Sequence, residues 1–142
     1  MRPYPLILET ADDGHVIAQA RDVPLAIAVG RDEREAVALA ADALASALRS
    51  YVEAGQPIPR PSRVKRGAPA VALPPLAAAK LALYQTLRET GLGPPALAAM
   101  LGCPVRDVRE LLDLDHHSRL DRLAAALTAL GKRLVIQIRD AA

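Results

Sequence analysis

The chain has 142 residues, which is enough for one ordinary domain or two small ones. Its hydrophobic content of 51% with 24% charged residues is typical of a globular protein and excludes a disordered one. The sequence has no apolar signal core, no run long enough to span a bilayer and a single cysteine, Cys103, so we expect a cytoplasmic protein without an internal disulfide.

The net charge of +2 is unevenly distributed along the chain. Residues 1–56 carry a net charge of −4, residues 57–74 carry +4 and the remainder carries +2. We therefore predict an acidic domain at 1–56, a proline-rich basic linker at 57–74 and a mildly basic domain at 75–142. This asymmetry suggests two partners of opposite charge.

The first domain reads as a small antiparallel sheet covered by one helix. Short apolar runs predict strands at residues 4–10, 15–20 and 26–30, with an Asp-Gly turn closing the first pair as a hairpin. A helix follows, with Asp32 as its cap, Glu35 as the reciprocal capping residue and Gly55 at its end. Its apolar stripe needs a sheet to cover, and three strands directly precede it.

The linker leaves two questions open. The basic run from Arg63 to Gly67 is either a solvated tether or a phosphate contact. The apolar residues 69–73 lie between prolines and can return to the first sheet as an edge strand, where proline is tolerated.

The second domain is predicted to be helical. Pro75 opens a helix that reaches Thr90, and residues 92–112 then have the spacing of a helix-turn-helix. Ala98 lies where the two helices cross, Gly102 takes the left-handed backbone of the corner, and Val108 packs inward.

Residues 113–117 are predicted to form a solvent-facing loop, with Ser118 capping a helix from 119 to 130. Adjacent histidines rarely chelate one metal, so we predict no metal site and no cofactor. Residues 134–139, LVIQIR, read as a strand with no neighbour in sequence. That strand pairs either across a dimer or with the chain's own first sheet.

The outer face of the second helix of the pair carries two arginines, which can reach phosphates or guanine edges. Histidines and an arginine of the following loop are expected near the DNA backbone. The predicted DNA-binding residues are Val105, Arg106, Asp107, Arg109, His116, His117 and Arg119.

Two resemblances support this organisation. Residues 92–131 resemble phage-repressor-like (Xre/Cro-type) domains, although Gly93 and Pro94 replace the Thr cap and the DNA-contacting Gln usual there. The whole order of elements resembles the HicB family of antitoxins, on Asp22-Val23-Pro24, Gly30, Glu35-Ala36 and the Gly-Gln-Pro-Ile-Pro run at 55–59. Leu25 and Ala26 depart from that family's Gly-Cys.

The HicB resemblance implies an α+β fold, with a partial ribonuclease-H-like first domain followed by an all-α helix-turn-helix domain with a C-terminal strand. It implies an antitoxin that neutralises a small, basic, HicA-like mRNA-cleaving toxin and represses its own operon as a dimer or higher oligomer on operator DNA. The carboxylates expected to meet a basic toxin are those of Asp12, Asp13 and Asp22.

Two other functions are compatible with a chain of this composition, a ribonuclease and a stand-alone repressor. A ribonuclease would need carboxylates that converge on metal ions, whereas the acidic residues here are scattered over turns, so we expect no catalytic residue. A stand-alone transcriptional repressor, whose first domain dimerises or senses a ligand, stays open on the sequence alone.

Overall fold

The computed structural model describes residues 1–140 and has two compact units, Met1–Ala78 and a second that begins at Ala79. The elements, in chain order, are β1 (Tyr4–Thr10), β2 (Val16–Ala20), β3 (Ile27–Gly30), α1 (Glu33–Glu53), β4 (Ala70–Val71), α2 (Pro75–Thr90), α3 (Pro94–Leu101), α4 (Val105–Leu112) and α5 (Leu120–Ala129). The predicted α+β class is confirmed.

The first unit contains a four-stranded sheet in the order β3-β2-β1-β4, with every neighbouring pair antiparallel. Side chains alternate between its two faces, because successive residues of a strand point in opposite directions. Leu6, Ala18 and Ala20 are buried on one face, and the inner residues Ala36, Ala40 and Leu44 of α1 are buried too. The helix covers one face of the sheet, as its apolar stripe predicts.

The start of α1 differs from the predicted capping box in one detail. The Glu35 amide donates to Oδ1 of Asp32 at 2.8 Å, as predicted. The Glu35 carboxylate, however, accepts from the amide and guanidinium of Arg31, at 3.1 and 2.7 Å. The Glu35 side chain therefore bonds the amide of Arg31, whereas a capping box would bond the amide of Asp32. Gly30 precedes this turn, and a Cβ there would lie 2.3 Å from the nitrogen of Ala36, so only glycine allows the helix to begin so close to β3.

Much of the predicted linker packs on the first unit. Ile58 is buried, and the Tyr4 hydroxyl donates to the carbonyl of Pro59 at 2.7 Å. Burial, reinforced by the charge of Asp22, raises the pKa of Tyr4 to about 12. Further along, β4 pairs with β1, so the expected return of residues 69–73 as an edge strand is confirmed at Ala70–Val71.

The second unit contains the predicted pair of short helices. Gly102, which caps α3, has φ of +66°, the left-handed conformation that the corner requires. Leu97 and Ala98 of α3 are buried, as are Val108 and Leu111 of α4. The inward positions predicted for Ala98 and Val108 are confirmed, while Leu101 and Leu112 are half-buried. Helix α5 contributes buried residues to the same unit, namely Leu123, Ala126 and Leu127.

Residues 134–139 form no strand within the described chain. The predicted C-terminal strand is therefore absent from the described residues, and the four-stranded sheet includes no part of 134–139. Val135, Ile136 and Ile138 are all strongly exposed. Pairing with a second chain stays a prediction. Over the same described residues, no helix is long and apolar enough to cross a membrane.

Candidate functional site

The exposed face of α4 carries the two arginines singled out in the sequence. The Arg106 side chain is 81% exposed, and its Nε lies 4.0 Å from Oδ1 of Asp107 and 4.0 Å from Oε1 of Glu110. Arg109 is also exposed, three residues further along the same helix. At such distances the ion pairs of Arg106 are weak, so its guanidinium can turn towards an anionic ligand.

Asp107 has a different environment from the arginines. Its Oδ2 lies 3.5 Å from Nη1 of Arg122, which belongs to α5, and its side chain is mostly covered. The carboxylate therefore links α4 to α5 as well as facing Arg106. Val105, the first residue of α4, is half-buried.

The loop after α4 brings several predicted residues to one cleft. Nδ1 of His116 lies 2.9 Å from Oγ of Ser118, and its Nε2 lies 3.6 Å from Oε2 of Glu110. Arg119 pairs with Asp121 at 3.0 Å. The cleft is lined by Asp107, Glu110, Leu111, His116, His117, Ser118, Arg119 and Arg122. Val105, Arg106 and Arg109 are not among its lining residues.

Ser118 does not cap α5, and that prediction is wrong. The residue at the N-cap position is Arg119, and no side chain bonds the first turn there. Ser118 is buried instead, where its hydroxyl donates to the carbonyl of Glu110 at 3.2 Å and accepts from Nζ of Lys80 at 2.6 Å. A buried hydroxyl needs a polar partner, and the nearest one comes from α2.

Lys80 is the residue that the sequence reasoning missed. It is fully buried, and besides Ser118 its amine donates to the carbonyls of Glu110 at 2.8 Å and Leu111 at 3.2 Å. Burial lowers the pKa of Lys80, and the charges of Asp113 and Glu110 partly oppose that shift. A signal existed in the sequence: position 80 lies one helical turn from both Leu76 and Tyr84, on the apolar stripe of α2.

The three carboxylates expected to meet a toxin lie at opposite ends of β2. Asp12 and Asp13 are exposed in the turn that precedes it. Oδ1 of Asp13 accepts from the His15 amide at 3.0 Å, and that bond, with the nearby imidazole, holds the pKa of Asp13 below its usual value. Asp22 follows the strand, and its two oxygens accept from the amide and hydroxyl of Ser62, both at 2.6 Å.

The residue types in these places can bind a partner, but they do not converge as ligands of a metal. Across residues 1–140, no three His, Cys, Asp or Glu side chains come together in a cluster that could hold an ion. The fold defines the class of this protein as a two-unit α+β protein with exposed charged side chains in both units.

Comparison with known proteins identifies the family within that class. The family model described as a HicB-like antitoxin of bacterial toxin-antitoxin systems matches residues 3–82. Antitoxin HicB 2 of Photorhabdus laumondii is 35% identical over 131 residues, which are 92% of each chain. Antitoxin HicB of Pseudomonas fluorescens is 34% identical over 92% of this chain and 90% of its own length. Antitoxin HicB of Escherichia coli K12 is 30% identical over 92% and 95%.

The chain therefore belongs to the HicB-like antitoxin family, and the expected relationship is confirmed. The family model ends within α2, so α3, α4 and α5 lie beyond it. The similarity to the three antitoxins extends over nearly the whole chain.

Proposed function

We propose that this protein neutralises a small, basic, HicA-like ribonuclease toxin through its first domain and represses its own promoter through its second. The observation that carries the proposal is membership of an antitoxin family in a chain whose second unit presents two exposed arginines on a short helix. A toxin partner follows from the family, and a DNA partner is suggested by the arginines.

For the DNA-binding half, α3 and α4 are two short helices joined at Gly102, and they are proposed to act as a helix-turn-helix whose second helix enters the major groove. Arg106 is proposed to lie nearer the base edges and Arg109 nearer base or phosphate. Val105 and Asp107 begin the same helix, and Asp107 keeps α5 close to it through Arg122. The remaining predicted residues, His116, His117 and Arg119, flank this helix and are proposed to meet the DNA backbone.

One helix-turn-helix reads only half of a palindromic operator, so repression requires at least a dimer. Residues 134–139 are the proposed dimer strand. The side chains of Val135, Ile136 and Ile138 are exposed in the single chain, Ile138 to 90%, and pairing with a second copy would bury them.

For the toxin-binding half, the acidic first domain complements a basic enzyme, and opposite charges speed the encounter of two proteins. Asp12 and Asp13, at the hairpin tip, are proposed to steer the toxin. Asp22 belongs to the same set, but its carboxylate already binds Ser62, so its contribution would come through its charge. Neutralisation is then occlusion of the toxin's RNA-binding surface, and this chain contributes no catalytic group.

The test uses the purified full-length chain and the protein encoded by the short reading frame next to its gene. The two proteins should co-elute, and cleavage of an RNA substrate should stop when the antitoxin is saturating. A gel-shift experiment with the promoter of the same operon tests the second half. Operator binding without co-elution or inhibition would identify a stand-alone repressor instead.

A further inference from the structure

The face of the first sheet that α1 leaves uncovered carries mainly aliphatic side chains. The register aligns Ile7, Gln19 and Ile27 across three strands, and Glu9, Ile17 and Val29 in the next row. We call these six residues the outer sheet face. Ile27 is 50% exposed, Val29 55% and Ile7 47%, although all three side chains are aliphatic. Their neighbours in sequence, such as Leu6, Ala18 and Ala28, belong to the opposite face under α1.

Single exposed aliphatic residues are normal on a protein surface, whereas a contiguous patch marks an interaction site. Here four branched side chains occupy adjacent positions on three paired strands. No element of residues 1–78 covers them, because α1 packs on the other face and β4 extends the sheet at its far edge. A patch of this kind is expected to be covered in the functional complex.

The edge of the sheet at β3 has no further strand beside it among the described residues. The Ala20 amide donates to the carbonyl of Ala26. In an antiparallel pair of strands, hydrogen-bonded residue pairs alternate with pairs that are not hydrogen-bonded, so Ala18 and Ala28 form the next hydrogen-bonded pair between β2 and β3. Val29, opposite Ile17, therefore directs its main-chain N–H and C=O away from β2, towards the side of β3 where the described chain places no strand. A partner on the outer sheet face can also reach the main-chain N–H and C=O of Val29 at this edge.

The charge pattern decides between two occupants. Glu9 is the only charged residue in the sequences of β1, β2 and β3, and Asp12 and Asp13 follow in the adjoining turn. A symmetric contact with a second copy would bring two Glu9 carboxylates onto strands that carry no Lys or Arg, and like charges across an interface are unfavourable. A basic partner would meet Glu9 with an opposite charge.

We propose that the outer sheet face is the docking surface for the toxin, which presents an apolar patch bordered by a Lys or Arg that pairs with Glu9. This rests on the proposed antitoxin function, since the partner is the toxin. The aliphatic rows supply the buried contact, while Glu9, Asp12 and Asp13 supply the acidic border.

The experiment measures the affinity of full-length variants for the purified protein of the adjacent reading frame, by calorimetric titration. Ile27→Lys and Val29→Lys place a cation on the outer sheet face and should each weaken binding at least tenfold. Leu39→Lys is the matched control, since Leu39 is an aliphatic residue of α1 in the same unit with 41% exposure. Its affinity should stay within about twofold of the wild type. Thermal unfolding establishes that each variant is folded.

A more conservative substitution tests the same surface if the lysine variants fail to fold. Val29→Thr keeps the shape and strand propensity of the side chain and should weaken binding several-fold. Glu9→Gln should weaken binding and reduce its dependence on salt, because a charge pair is lost.

The outcomes separate the two proposals. If the wild type fails to bind the protein of the adjacent reading frame, the antitoxin function as proposed here fails. If the wild type binds and Ile27→Lys, Val29→Lys and Val29→Thr bind equally well, the antitoxin function stands and the outer sheet face is not the docking surface. If the lysine variants abolish self-association in sedimentation but keep toxin binding, the face belongs to a second copy and the inference is overturned.

Discussion

Nζ of Lys80 donates a hydrogen bond of 2.6 Å to Oγ of Ser118, and through it α2 is joined to the residue before the N-cap of α5. The same amine bonds the carbonyls of Glu110 and Leu111 at the end of α4. The last carbonyls of a helix have no partner within the helix, and the Lys80 amine supplies a donor to two of them. One buried side chain thus holds the helix that carries Arg106 and Arg109.

Lys80→Met is expected to lower the free energy of unfolding by about 1 to 3 kcal/mol, because two carbonyls and a hydroxyl lose a donor in a buried place. Urea denaturation followed by circular dichroism measures the change. Lys132→Met, at an exposed position of the same unit, is the control and should have little effect. Equal stability of the Lys80 variant and the wild type would contradict the role given to the amine.

The contribution of Lys80 should also depend on pH. Its pKa is lowered in the folded protein from the ordinary 10.5, so in the window just below 10.5 the unfolded chain binds more protons than the folded one. Stability from this group therefore rises with pH through that window. The difference in unfolding free energy between the wild type and Lys80→Met should shift in favour of the wild type as the pH rises from the lowered pKa of the folded protein to 10.5. A shift in the opposite direction would mean that the folded state favours the charged amine.

Arg106→Ala and Arg109→Ala should each weaken operator binding by about 1 to 3 kcal/mol, since each removes a charged contact from the proposed recognition helix. Fluorescence anisotropy with labelled operator DNA at one fixed salt concentration gives the affinities. Arg34→Ala removes an exposed arginine from α1 and serves as the control for net charge. Unchanged affinity in the double variant would remove α4 from the DNA interface.

Ile136→Asp should shift the protein towards monomers, because a carboxylate in the proposed dimer strand would be buried opposite an apolar neighbour. Analytical ultracentrifugation over a range of concentrations measures the change, and operator affinity should fall with it. Leu92→Asp changes an exposed leucine of the same unit outside the strand and should leave the assembly intact. If both variants sediment as the wild type does, residues 134–139 do not form the dimer contact.

Gly30→Ala should destabilise the first unit by about 1 to 3 kcal/mol, since the added methyl meets backbone atoms that cannot move without shifting the start of α1. Gly93→Ala is the comparison, because a Cβ there makes only an ordinary contact of 3.6 Å with Cδ of Pro95. That change should cost less than about 1 kcal/mol. Thermal unfolding compares the stability of the two variants. If Gly30→Ala loses less stability than Gly93→Ala, the start of α1 can move to accommodate the added methyl group.

The order of the elements could be predicted from the sequence because local signals encode it. The Asp-Gly turn closes the β1–β2 hairpin, Asp32 caps α1, and Gly102 marks the corner between α3 and α4. Each of these depends on residues at most a few positions apart, where backbone geometry and side-chain period act directly. The buried faces of the two short helices follow from the same periodicity.

Only the tertiary structure decided the contacts between distant residues. Ser118 binds Lys80, 38 positions away, instead of capping α5, and Asp22 binds Ser62, 40 positions away. The exposure of Ile27 and Val29 could not be predicted from the sequence either, because an apolar strand has the same residue pattern whether one face of its sheet is covered or both. Period and capping describe a segment by itself, whereas the partner of a buried polar group and the uncovered face of a sheet depend on which other segments pack beside them.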